Sequence, residues 1–134
     1  MRREEQVLLY QFRDEGKLQA IREVLKKLHI KSRVLPEEAY AQKVGFLLGM
    51  KGFRLTEMRE DGFSFPHEVM LLQNIRGKRL DEVLKQLREA GVPPIKFKAV
   101  VTPFNTLWTL RRLCETMQKE HAAMQAAEGK TGNR

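Results

Sequence analysis

The sequence predicts an α+β fold of the ferredoxin-like type. Two βαβ units would form a four-stranded antiparallel sheet, with a helix added at the C-terminus. Two observations support this prediction. A strand–helix–strand pattern occurs twice, and residues 7–30 align with residues 69–92 without a gap. Tandem βαβ units are typical of the ferredoxin-like split arrangement. In this alignment the apolar helix positions coincide: Leu18 with Leu80, Ile21 with Val83 and Leu25 with Leu87.

The first unit lies in residues 6–35. Residues 6–12, QVLLYQF, form a short apolar run that predicts a strand. Leucine and isoleucine then recur at helical spacing through residues 18–28, with charged residues between them, which predicts an amphipathic helix. Residues 31–35 predict the second strand, and Pro36 ends it.

The second unit begins at Glu68. Residues 69–72 predict a strand, and the apolar stripe through residues 80–90 predicts a helix. Gly91 suits the position just after a helix, and the two prolines that follow prevent its continuation. Residues 95–101 predict the fourth strand.

The pattern of burial predicts the order of the sheet. Residues 7–10 and 69–72 are apolar on both faces, as central strands covered on both sides are. Residues 31–34 and 96–99 carry alternate charges, a usual protection of sheet edges. Since two helices cover only one face, we expect the C-terminal helix to cover the other. A second subunit is the main alternative, and the middle segment is the third candidate.

The chain length of 134 residues predicts a single domain, which we place at residues 1–128. Within it, residues 39–66 form an irregular inserted segment that contains several glycines. Residues 103–127 are the predicted C-terminal helix, and residues 129–134 are a predicted disordered tail.

The composition excludes several classes of protein. A single cysteine, Cys114, excludes a disulfide scaffold, and the chain has no apolar run long enough to span a membrane. We therefore expect a cytoplasmic protein without a membrane partner. The net charge of +8 admits an anionic partner, but the basic residues are scattered and interleaved with acidic ones. They predict a solvated surface more than a nucleic-acid site.

No arrangement of residues predicts catalysis, a cofactor or a metal. Cys114, Met117 and His121 share one face of the C-terminal helix, but a zinc site needs three or four ligands at characteristic spacing. These residues are predicted to face a core or an interface. We therefore expect the protein not to be an enzyme.

The segment from Gly49 to Arg54 is the most unusual stretch. A glycine-rich turn with cations can bind an anion through backbone N–H groups, so Gly49, Lys51, Gly52, Phe53 and Arg54 are candidate ligand-binding residues. The spacing does not match a P-loop. The favoured interpretation is structural: a helix that packs closely through its glycines, with Phe53 anchoring the chain beyond it.

The topology also invites comparison with RNA-recognition motif domains, which stack bases on aromatic residues of the two central strands. The first strand offers Tyr10 and Phe12, and residues 69–72 offer no aromatic side chain. RNA binding of that type is therefore not expected.

Six stretches spread over residues 6–124 carry a resemblance. With x for positions that do not contribute, they are VLLY at 7–10, GxxxGxKGF at 45–53, DGF at 61–63, KRLDExL at 78–84, AGVP at 90–93 and KAVxTPxNxxW at 98–108. Together they resemble a family of small bacterial proteins known only as a domain of unknown function. Phe46, Leu47 and Leu48 depart from the family pattern, in which smaller residues are expected. The resemblance implies a bacterial cytoplasmic protein and supplies no catalytic residues.

Three functions are left open, in order of preference. The first is a non-enzymatic protein-interaction or regulatory module, acting as a homodimer or on an unknown partner, with Trp108, Leu110 and Met117 as interface residues. The second is a sensor of a small, nucleotide-like anion at the Gly49 to Phe53 loop. Nucleic-acid binding through scattered cations ranks third.

Overall fold

A computed structural model describes residues 4–57 and 63–131 of the chain, with side chains described as far as residue 124. The strands are β1 Gln6–Tyr10, β2 Lys31–Val34, β3 Val69–Gln73 and β4 Phe97–Val100. The helices are α1 Glu15–Lys27, α2 Val44–Leu47, α3 Gly77–Glu89 and α4 Leu110–Thr131. Short 3₁₀ turns occupy Glu37–Ala41 and Asn105–Leu107.

The duplication predicted from the sequence is present in the helices. Helices α1 and α3 occupy equivalent residues of the alignment, and they end in the same way. His29 and Gly91 both take a left-handed conformation, with φ of 60° and 83°. The N–H of the next residue then donates to a carbonyl of the last turn, Ile30 to Leu25 at 2.8 Å and Val92 to Leu87 at 3.0 Å. Both units therefore use the same helix-ending motif.

The sheet has the order β2-β1-β3-β4, so the predicted central and edge strands are confirmed. The predicted antiparallel sheet is wrong, because the sheet is mixed. Strand β1 is parallel to β2, and β3 is parallel to β4. The only antiparallel pairing of named strands is β1 with β3, in which Leu8 lies opposite Leu71.

The ferredoxin-like topology is likewise not confirmed. In the split arrangement, the two strands of each βαβ unit are separated by a strand of the other unit. Here each helix returns the chain beside the strand that it left, as an ordinary βαβ crossover does. The described residues between these units, 35–57 and 63–68, contain no hairpin that pairs β2 with β3. The periodicity of the sequence specifies strands and helices, but it does not specify which strands become neighbours.

The two faces of the sheet carry separate apolar clusters. Helices α1 and α3 cover one face, where Val7, Leu9, Met70 and Leu72 meet Ile21, Leu25, Val83 and Leu87. The other face is covered by α4, as expected, together with the middle segment. This second cluster includes residues of both the middle segment and α4, namely Tyr40, Val44, Leu47, Leu110, Leu113, Cys114 and Met117. The chain thus covers both faces of its own sheet.

The C-terminal helix differs from its predicted bounds. It begins at Leu110 rather than at residue 103, because residues 102–108 form a separate hydrogen-bonded turn. Thr109 precedes the helix, and its hydroxyl oxygen accepts the N–H of Arg112 at 3.1 Å. The helix continues to Thr131, into the segment 129–134 that the sequence predicts to be disordered. Residues 132–134 lie outside the described part. Among the described residues, no helix has the length and apolar character needed to cross a membrane.

Candidate interaction surface

The turn that follows β4 is held by one buried asparagine. Asn105 is only 8% exposed, and its Oδ1 accepts the N–H of Thr102 at 2.8 Å. Its Nδ2 donates to the carbonyl of Val100 at 3.1 Å. In return, the N–H of Asn105 donates to Oγ1 of Thr102 at 3.1 Å. These bonds satisfy the polar groups of a buried side chain and fix the path of the backbone.

This turn presents two large apolar side chains to solvent. Phe104 is 78% exposed and Leu107 is 62% exposed. The two residues between them in the sequence, Asn105 and Thr106, are buried, and the hydroxyl of Thr106 donates to the carbonyl of Pro103 at 2.8 Å. The polar residues of the turn therefore point inward and the apolar ones outward, the reverse of an ordinary surface loop.

The middle segment supports the turn from one side. The N–H of Val44 donates to the carbonyl of Trp108, and the N–H of Leu110 donates to that of Gln42, both at 2.9 Å. The buried side chain of Gln42 in turn bonds to the backbone of Thr56, through its Oε1 at 2.7 Å and its Nε2 at 2.9 Å. The middle segment and the start of α4, which cover the same face of the sheet, are thus hydrogen-bonded to each other next to the turn.

Two consecutive arginines at the start of α4 lie over aromatic rings. The guanidinium carbon of Arg112 is 4.4 Å from the ring centroid of Trp108, and that of Arg111 is 4.7 Å from the ring of Phe63. Arg111 also approaches Glu115 at 3.7 Å. Arg112 is exposed and forms no ion pair with any residue that the structure describes. We call Phe104, Leu107, Trp108 and Arg112 the turn surface.

The predicted interface residues divide into two groups. Trp108 is half-buried and belongs to the turn surface. Leu110 is fully buried and Met117 is 9% exposed, and both pack against the sheet of their own chain. A partner protein would reach Leu110 and Met117 only after α4 had moved away from the sheet.

The predicted ligand loop has a structural explanation for its glycines. A Cβ on Gly45 would lie 2.3 Å from the ring of Phe53, so the ring packs directly on the α2 backbone. Gly49, with φ of 76°, ends the helix, and the N–H of Met50 donates to the carbonyl of Gly45 at 3.0 Å.

The cations of this loop are not gathered into a cavity that the structure describes. Gly52 has φ of 91°, and Lys51 and Arg54 are exposed. The larger open grooves that the structure describes lie elsewhere, along α1 and β2 and beside Glu5, His29 and Arg79.

Of the remaining candidate groups, Cys114 is enclosed in the core and His121 is half-buried. Burial raises the pKa of the Cys114 thiol from 9.0 to about 12, so the sulfur stays protonated and unreactive at neutral pH. The Nε2 atom of His121 is buried and has no hydrogen-bond partner among the residues that the structure describes, and the ring lies 5.6 Å from that of Phe97. No cluster of three metal-ligating side chains occurs within the described residues.

Tyr10 is not available for base stacking. Its side chain is 1% exposed, and its hydroxyl donates to the carbonyl of Glu37 at 2.7 Å. The sheet face that RNA-recognition motif domains use lies here beneath the middle segment and α4.

The exposed pair Phe104 and Leu107 was not singled out from the sequence. A signal was present, since both apolar residues flank Asn105 and Thr106 just after Pro103, where turn residues predict a solvent-exposed loop. Apolar side chains within such a turn are the indication of a contact surface.

Comparison with known proteins gives one match. No curated protein and no solved structure matches the chain. The match spans β3, α3, β4, the turn surface and the described side chains of α4, and it leaves out the first βαβ unit and the middle segment. The resemblance expected from the sequence is confirmed for this part of the chain: residues 68–124 match the model of a family described as a domain of unknown function, DUF3783.

Proposed function

We propose that this protein is a non-enzymatic protein-interaction module that binds a partner protein through the turn surface. The observation that carries the proposal is the exposure of Phe104 and Leu107, at 78% and 62%, on a turn fixed by a buried asparagine. Large apolar side chains in solvent have a free-energy cost that binding removes.

The rigidity of the turn supports the proposal. A loop that must be ordered on binding loses conformational entropy, which reduces affinity. Here Asn105 and Thr106 hold the backbone before any partner arrives. The residue types of the turn surface also support the proposal, because tryptophan and arginine are enriched among the interface residues that contribute most to binding energy. Trp108 and Arg112 supply that pair next to the two apolar residues.

The partner is proposed to be a different protein rather than a second copy. A two-fold contact through the turn surface would bring Arg111 and Arg112 of both copies together. The net charge of +8 adds further repulsion between copies. Following the family resemblance, we place this interaction in a bacterial cytoplasm.

The anionic-ligand alternative has weaker support. The ring of Phe53 packs on Gly45, and the N–H groups of Gly49 and Met50 already donate within α2. An anion at this loop would have to rely on the exposed side chains of Lys51 and Arg54, and ion pairs with exposed side chains contribute little in water.

A random peptide library displayed on phage provides a direct test. We expect selected peptides to bind at the turn surface, so Phe104→Ala and Leu107→Ala should each weaken their binding about tenfold, measured by isothermal titration calorimetry. Met124→Ala is the matched control, because Met124 is also 62% exposed but lies about 20 Å farther along α4. Peptides that bind all three variants equally would contradict the proposal.

The oligomeric state is tested separately by sedimentation equilibrium. A monomer at all concentrations agrees with a heterologous partner. A dimer that Leu107→Ala dissociates would instead assign the turn surface to self-association.

A further inference from the structure

We infer that the turn surface recognises an acidic segment of the partner, in which an apolar side chain meets Phe104 and Leu107 while a neighbouring carboxylate binds Arg112. The inference rests on the proposed function and specifies the chemistry of the partner. It depends on the position of one arginine.

The guanidinium of Arg112 is held before binding. The guanidinium carbon lies over the indole of Trp108, 4.4 Å from the ring centroid. An arginine that packs on an aromatic ring still carries five N–H donors, which an approaching anion can use. Those N–H groups match the two oxygens of a carboxylate, which they bind in a bidentate manner. Contact with the ring restricts the side chain, so less rotamer entropy is lost on binding than for an arginine without such a contact.

The charges near Arg112 favour an anion. The neighbouring carboxylate on α4, Glu115, lies 3.7 Å from Arg111, so Arg111 already compensates its charge. Lys43, which is exposed, pairs with Thr109 in an isolated β-bridge, where the middle segment meets the start of α4. Arg112 therefore follows another cation, Arg111, along the chain and has no carboxylate bound to it within the described residues.

A peptide fits this surface better than a nucleic acid does. Single-stranded nucleic acids stack bases on exposed aromatic faces. At Trp108 the guanidinium of Arg112 occupies one face of the ring, and the residue is half-buried. Phe104 is the one ring of the turn surface that is largely exposed, whereas such sites stack successive bases on several rings, and Leu107 offers apolar contact without a ring. An apolar side chain beside a carboxylate matches Leu107 and Arg112 together.

The test uses peptides selected from the phage library and the intact protein. We expect these peptides to be enriched in Asp and Glu next to an apolar residue. Replacing the acid by its amide should weaken binding about tenfold, and Arg112→Glu should weaken it at least as much. Arg112→Lys should give an intermediate loss, because it keeps the charge but not the planar edge.

A charge exchange makes the test specific. A peptide in which Lys replaces the critical acid should bind Arg112→Glu better than it binds the wild type. Lys85→Glu is the control, because it changes the net charge equally on the exposed side of α3, in the layer on the other face of the sheet.

Two other outcomes would contradict the inference, and each points to a different explanation. Equal binding of acidic and amidated peptides, with Phe104→Ala still harmful, would overturn the acidic partner and leave the proposed function intact. A single-stranded oligonucleotide that displaces the peptides and binds more tightly, with the same dependence on Arg112, would replace the peptide by a nucleic acid.

Discussion

Lys17 and Arg79 hold equivalent positions in the two halves of the chain and make equivalent ion pairs. Each is the third residue of its helix, α1 or α3. Lys17 Nζ lies 2.5 Å from Oε1 of Glu68, and Arg79 binds both carboxylate oxygens of Glu5 at 2.9 Å. Glu5 and Glu68 immediately precede β1 and β3. The first turn of each helix is thus tied to the start of the other unit's first strand.

Arg79 is expected to contribute more to stability than Lys17 does. Besides Glu5, its guanidinium bonds to Glu82 and to the carbonyl of Leu28, whereas Lys17 makes a single ion pair. We expect Arg79→Met to lower the free energy of unfolding by about 2 kcal/mol. Lys17→Met should lower it by about 1 kcal/mol or less. Urea denaturation of the two variants measures both values.

The exposed cation Lys85, on α3, provides the control for this pair of variants. Lys85→Met should change stability by less than about 0.5 kcal/mol. If Arg79→Met were as mild as Lys85→Met, the link between the halves would have no energetic role.

The two glycines Gly45 and Gly16 should respond to alanine with opposite signs. A methyl group on Gly45 would overlap the ring of Phe53, so Gly45→Ala should destabilise the protein by about 1–3 kcal/mol. At Gly16, in α1, the nearest atom to a new methyl group is Oδ1 of Asp14, at 3.5 Å. There the higher helix propensity of alanine should stabilise by about 0.5 kcal/mol. Thermal unfolding distinguishes the signs, and a stable Gly45→Ala would mean that Phe53 moves freely.

Much of the fold is predictable from the sequence because duplication and periodicity are both local signals. The gapless alignment places α1 and α3 correctly, and apolar runs on both faces identify β1 and β3 as central. Strand pairing is not local. In the mixed sheet, described residues of the middle segment such as Tyr40, Val44 and Leu47 cover one face, and no spacing within β2 or β3 encodes that arrangement.

The candidate site was harder to predict than the fold. From the sequence we expect Trp108, Leu110 and Met117 to be interface residues, but Leu110 and Met117 turn inward to the sheet. Phe104 and Leu107 were missed because exposure is a tertiary property. The side-chain amide of Asn105 points inward and fixes the turn that exposes them, and the sequence alone does not show which way an asparagine side chain points.

The protein should lose stability at alkaline pH. Burial raises the pKa of Cys114 from 9.0, and that of Tyr10 from 10.0, to about 12 in each case. Since both pKa values are raised by folding, the stability they contribute is fully present below about pH 9 and is lost as pH rises toward 12. For Cys114 the difference in pKa corresponds to about 4 kcal/mol. Urea denaturation at a series of pH values above 8 measures the decline.

Cys114→Ala provides the control for the alkaline decline. The variant loses some stability at neutral pH through its smaller side chain, but its curve should fall less steeply above pH 9. In the wild type, Ellman's reagent should modify the thiol only after denaturation, because Cys114 is fully buried. Rapid modification of the folded protein would show that α4 opens readily from the sheet.

Asn105 should control both the stability and the order of the turn surface. Asn105→Asp replaces the donor that faces the carbonyl of Val100 by an acceptor, so it should destabilise by about 2 kcal/mol or more. Thr106→Val removes only the hydroxyl bond to Pro103 and should cost about 1 kcal/mol. Hydrogen exchange should accelerate at the N–H groups of Thr102, Thr106 and Trp108 in Asn105→Asp, while that of Leu8 in β1 changes only as far as global stability does. Unchanged exchange in the turn would mean that its backbone is held by other contacts, and Phe104 and Leu107 would then owe their exposure to something other than Asn105.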